Sequence, residues 1–209
     1  MKWKLKNYNS NYLISKSKEF QESKLITKLL LNRGITTPEK VEEFLNPSEK
    51  DLYSPFLFEE MREVVDRILR AKNNREKVVI YGDYDVEGIS GTAYLVNITI
   101  NDRNEIKLLR DNNIDVIITD HHRQIEDISD LGVLMVNPKV GNYPNKNLSG
   151  SGVAFKLADA IYEVIGADKK ILYDYIDIVM IGTVADVVPM TDENRFIIKK
   201  GLNNLKKTK

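Results

Sequence analysis

With 209 residues, 42% of them hydrophobic, the chain is long enough to bury a sizeable core in one domain or two closely joined ones. Lysine and arginine equal aspartate and glutamate at 31 each, so bulk charge points to no partner, and a local basic face stays compatible with an acidic site. The lack of cysteine excludes disulfides and thiolate metal sites and fits a reducing compartment.

The segment Met1 to Tyr8 has no apolar core of the kind a signal peptide needs, and no run approaches the roughly 18 apolar residues of a membrane span. A cytoplasmic protein without membrane contact is expected. Glu22 to Asn32 carries Leu25, Ile26, Leu29 and Leu30 at helical spacing, with Gly34 placed to end the helix. Thr37 and Pro38 predict a second helix, threonine as its cap and proline at its first position, which stops before Asn46 and Pro47. After a loop, Phe56 to Lys72 returns to helical period through Met61, Val64, Val65, Ile68 and Leu69. The pattern predicts an N-terminal helical segment over residues 1–75, packed on a domain over 76–209.

From Lys77 onward strands and helices alternate. The expected elements are a strand at Val78 to Tyr81, a helix from Ile89 to about Val96, a short strand at Ile98 to Ile100, a helix near Asn104 to Asp111, a strand at Ile114 to Thr119 and a short apolar run at Val133 to Val136. Such alternation predicts an α/β fold with a mainly parallel sheet flanked by helices. Asn142 to Ser151 reads as a polar loop. An amphipathic helix at Gly152 to Ile165, a further helix from Lys170 to about Thr183 and a basic closing helix from Asn194 to Lys209 complete the chain.

The two histidines, His121 and His122, directly follow Asp120 at the end of the run Ile114 to Thr119. Strand ends are where ligands bind in α/β folds, and these three side chains can all hold a metal, although polar residues after a strand also simply begin loops. A second cluster lies where Val78 to Tyr81 empties into Asp83, Asp85 and Glu87, acids at every other position ahead of Gly88. Alternate side chains of an extended segment point the same way, so their repulsion asks for a divalent cation, and the helix start that follows favours negative charge. Two acid-rich strand ends separated by a crossover make the parts of a two-metal site that hydrolyses phosphoesters.

Asp186 lies among apolar residues in Gly182 to Pro189, where a lone carboxylate is costly unless it is paired, metal-bound or a helix cap. Ser149, Gly150, Ser151 and Gly152 either cradle a phosphate through backbone N–H groups or form an ordinary loop and cap. Arg195 either holds a phosphate or begins the last helix. No Walker loop, dinucleotide glycine fingerprint or Gly-x-Ser-x-Gly elbow is present.

Read together, Ile80 to Ser90, Val116 to His122, Val136 to Lys139, Leu148 to Ala158 and Gly182 to Pro189 resemble, in order, the motifs of the DHH phosphoesterase family, and within it the branch of single-strand-specific 5′-to-3′ DNA exonucleases. The likeness runs from about Leu29 onward. It implies an α/β catalytic domain with two Mn²⁺ or Mg²⁺ ions. Asp83, Asp85, Glu87, His121 and Asp186 would be metal ligands, Asp120 a member of the catalytic set, His122 a contact to the scissile phosphate, and Arg195 a basic residue near the site. The implied partners are single-stranded DNA, a single-strand-binding protein and a helicase.

Three departures qualify what the resemblance implies. The family has aspartate where Glu87 stands, and one added methylene displaces a ligand oxygen by about 1 Å. The family also places a longer segment between the first motif's helix and the strand whose aspartate bridges both metals. Here that segment is missing after about residue 96, and Asn101 or Asp102 stands at the place of the bridge. The family's C-terminal domains, which complete the DNA channel, are absent from the sequence. One ion bound more readily than two, and feeble cleavage, are the expected result. The alternatives are a phosphoesterase of small nucleotides and a non-catalytic scaffold that binds DNA or a replication partner.

Overall fold

The computed structural model describes residues 6–80, 82, 85–94, 103–124 and 128–206. The chain divides into two compact units, Met1–Asp51 and Leu52–Lys209.

The first unit holds α1 (Ser10–Glu19), α2 (Lys24–Asn32) and α3 (Pro38–Leu45). Each starts at a side chain that accepts a backbone N–H left over at the helix end: Asn9 from Asn11 and Tyr12, Ser23 from Ile26, and Thr37 from Lys40. Pro38 stands in the first turn of α3, as its fixed φ favours. Phe20, Leu30, Leu31 and Val41 form this unit's buried core. The sequence pattern does not reveal α1, because that helix buries no residue and so shows no apolar stripe.

The second unit holds α4 (Met61–Asn74), α5 (Val86–Tyr94), α6 (Arg103–Asp111), β1 (Ile117–Thr119), β2 (Leu134–Val136), α7 (Gly150–Val164), α8 (Lys170–Asp174), α9 (Ile176–Ala185) and α10 (Asp192–Leu205). Strands β1 and β2 are parallel, with Ile117 opposite Leu134, Ile118 opposite Met135 and Thr119 opposite Val136. Their side chains alternate between two cores. Ile118 and Met135 pack with Ile106 of α6, whereas Ile117, Leu134 and Val136 join the larger core of α4, α7, α9 and α10. The sheet is thus covered on both faces, the arrangement parallel strands require. Glu60, just ahead of α4, accepts the N–H of Met135 at 2.6 Å and ties the helix start to β2.

Phe155 of α7 is fully buried in the larger core. Phe155→Ala is expected to cost about 3–5 kcal/mol, read as a lowered denaturant midpoint at unchanged slope. The same core contains a polar knot. Lys156 and Glu193 are both fully buried and 3.0 Å apart. The Tyr143 hydroxyl donates to the Glu193 carboxylate at 2.9 and 3.0 Å, the Tyr53 N–H donates to it at 3.0 Å, and Lys156 Nζ also donates to the Tyr53 carbonyl. Burial, then the charge of Glu193, pushes the Tyr143 hydroxyl far above the ordinary tyrosine range, so it remains a proton donor.

The structure corrects several expectations. Val78, Val79 and Ile80 form no strand and are exposed, because an extended run becomes a strand only where a neighbour pairs its backbone; Tyr81 and the short strand expected at Ile98 to Ile100 lie outside the described residues. Among the described residues the sheet has two strands. The helix expected over Lys170 to Thr183 is two helices, broken at Tyr175. The compact units divide after Asp51, and Met61, Val64 and Val65 of α4 are fully buried in the second unit's core. Among the described residues no helix is long and apolar enough to cross a membrane.

Candidate metal centre

Strand β1 ends in Asp120, which is fully buried. Its Oδ1 accepts from the N–H of His121 at 2.6 Å, from the N–H of His122 at 3.0 Å and from His122 Nδ1 at 2.8 Å. The carboxylate thereby folds the turn and orients the His122 ring through Nδ1, which leaves Nε2 of this half-exposed ring outside that contact. Asn137, buried just after β2, donates to the His122 carbonyl at 3.0 Å and braces the turn from the neighbouring strand. Ligand atoms of Asp120, His121 and His122 all lie within 4.8 Å of one another, and no other such group of three occurs among the described residues.

Asp186 reaches the same place from the far end of α9, with Oδ2 3.4 Å from His121 Nδ1. It is also the C-cap of that helix. A carboxylate at a helix C-terminus faces the negative end of the macrodipole, a cost that a nearby cation removes. The next residue, Val187, has φ 58°, the left-handed conformation that glycine usually supplies after a helix.

Helices α5, α7 and α9 meet at small residues. A Cβ on Gly182 would lie 2.5 Å from Ser151 Oγ and 3.1 Å from Ser90 Cβ, so only glycine fits there. Ser149 caps α7: its Oγ accepts from the Gly152 N–H at 3.1 Å and shares hydrogen bonds with Ser151 Oγ at 3.0 Å and Thr183 Oγ1 at 2.9 Å. Gly150, Ser151 and Gly152 are buried. Asp85 likewise caps α5, its Oδ1 accepting from the Gly88 N–H at 2.6 Å. Arg195 is half-buried in the first turns of α10.

The structure thus brings His121, His122, Asp120 and Asp186 together, links Ser149 to the last turn of α9, and starts α5 at Asp85. Asp83 and Asp102 lie outside the described residues, as does the side chain of Glu87. Sequence reasoning missed Asn137 and Thr183, whose roles depend on contacts to residues distant in the chain. Asp120→Asn removes the charge that pins His122. It is expected to move the imidazole NMR signals of His122, and unmoved signals would show that the ring needs no such anchor.

The DHH family N-terminal domain profile matches residues 94–183. The single-stranded-DNA-specific exonuclease RecJ of Bacillus subtilis is 32% identical over 253 residues, spanning 100% of this chain and 31% of that protein. The chain has a DHH-family core of the RecJ type. A putative prophage-derived single-strand DNA-specific exonuclease, YorK, of Bacillus subtilis is 24% identical over 218 residues, covering 85% of this chain and 37% of the relative. A crystal structure of exonuclease RecJ bound to manganese superposes on this chain with TM-score 0.65 and 25% identity, over 73% of this chain and 49% of the other. The chain spans about a third of the length of the curated relatives it matches. The 253-residue alignment exceeds the chain's 209 residues by 44, so the Bacillus subtilis relative carries at least that many for which this chain has none.

Proposed function

We propose that this chain is the catalytic core of a metal-dependent phosphodiesterase that degrades single-stranded DNA from its 5′ end, working in the cytoplasm with a single-strand-binding protein and a helicase. The observation that carries the proposal is the contact of Asp186 with His121 beside the Asp120–His122 pair. The carboxylate oxygens suit Mn²⁺ or Mg²⁺, and no thiolate is present to select a softer ion. The names of the relatives and of the manganese-bound structure support the same reading.

In this proposal Asp83, Asp85, Glu87, His121 and Asp186 hold the ions. A divalent cation held there would supply Lewis acidity, making a water a better nucleophile and screening phosphate charge. His122, oriented by Asp120, offers Nε2 to a phosphate oxygen. Arg195 adds positive charge from α10. Water adds to phosphorus as the bond to the 3′ oxygen breaks, and a 5′-mononucleotide leaves.

The 44 residues by which the alignment exceeds the chain agree with the missing internal segment and its bridging aspartate, with Asp102 as the remaining acid. One ion is therefore expected to bind more readily than the second, and turnover to be slow. The test is a Mn²⁺-dependent assay on 5′-labelled single-stranded and duplex DNA. Labelled mononucleotide should be released from the single strand only, and none after chelation. Cleavage of cyclic dinucleotides instead would move the assignment to a small-nucleotide enzyme, and DNA binding without any cleavage would make the chain a scaffold.

A further inference from the structure

Two residues at this junction lie in the left-handed region, Val187 in the turn after α9 at φ 58° and Asp192 at the start of α10 at φ 56°. Aspartate tolerates this conformation. A β-branched valine does not, and it stays there only where its surroundings impose it. Val187 is 83% exposed, so its own packing imposes nothing.

Asn194 supplies the constraint. It is fully buried, and its Nδ2 donates to the Pro189 carbonyl at 3.0 Å and to the Asn147 carbonyl at 2.7 Å. The first carbonyl belongs to the turn that leaves Asp186, and the second to the loop that leads into Ser149. Asn194 is itself immobilised, because its neighbour Glu193 is locked into the knot with Lys156, Tyr143 and Tyr53. On the other side, Ser149 and Thr183 join the same loop to the last turn of α9.

We propose that Asn194 is a positioning residue: as a clasp across the strained turn, it holds the Asp186 carboxylate against His121. The proposal rests on the metal-site reading only for its effect on metal binding. The clasp itself is defined without a metal.

The chain's two histidines make a clean probe. In metal-free protein, Asn194→Ala is expected to displace the imidazole NMR signals of His121 and to leave those of His122, which Asp120 pins, in place. In parallel, Mn²⁺ titration should show affinity weakened about tenfold or more. Adding Val187→Gly, which lets the turn keep its shape without strain, should return both readouts towards wild type. Val179→Ala, a core cavity in α9 that leaves the hydrogen bonds of Asn194 in place, serves as the control for simple destabilisation, and all variants are compared where they are fully folded. Should Asn194→Ala fail to fold, Asn194→Asp keeps the volume and removes both donors. Unmoved His121 signals, or an equal change in the Val179→Ala control, would overturn the clasp. A wild-type chain that binds no Mn²⁺ would instead overturn the metal-site reading, with the metal-free spectra still deciding on Asn194.

Discussion

Asp186→Asn is expected to weaken Mn²⁺ binding at least tenfold and to slow phosphodiester hydrolysis by about 100-fold or more, while leaving the fold as stable as before or slightly more so. The opposite signs follow from where Asp186 stands. As the C-cap of α9 its charge opposes the helix macrodipole, an interaction worth about 0.3–1 kcal/mol that the neutral amide removes. The same charge, 3.4 Å from His121, is what a cation would neutralise. Calorimetric titration and a melting curve on one preparation check both halves, and an asparagine variant that binds Mn²⁺ as tightly as wild type would place Asp186 outside the ligand set.

Lys156→Met is expected to be strongly destabilising, at about 3–5 kcal/mol. It leaves Glu193 as a fully buried carboxylate that keeps its neutral donors from Tyr143 and Tyr53 but loses its cation. For a chain of this size that cost lowers the melting temperature by about 6–20 °C. Adding Glu193→Gln should recover at least half of the loss, because the buried charge is gone and the amide oxygen still accepts from Tyr143. Additive losses in the double variant would show that Lys156 acts through packing of its stem rather than through its charge.

What the sequence discloses of this molecule is what its local chemistry decides. Thr37 and Pro38 announce α3 because a cap and a fixed φ act within one turn. Asp120, His121 and His122 announce a metal-capable turn because all three donors are adjacent. Val78 to Ile80 mislead, since their β-branched side chains favour an extended chain while pairing depends on a distant partner. The knot is silent in the sequence for the same reason: Lys156 and Glu193 stand 37 residues apart, and each reads alone as a surface charge. The turn after Asp186 is the least legible part, because valine is among the last residues a pattern would assign to a left-handed position.

The meeting of Ser90, Ser151 and Gly182 has a consequence for ionic radius. Three helices in contact through a hydroxyl, a methylene and a bare Cα have no room to slide, so any carboxylate that α5 brings to the centre arrives at a fixed reach from Asp186. A centre with fixed reach sorts cations by size. Mg²⁺ takes oxygen ligands at about 2.0–2.1 Å and Ca²⁺ at about 2.3–2.6 Å, and in the proposed centre a scaffold that cannot dilate would accept only the ion whose distances match its reach.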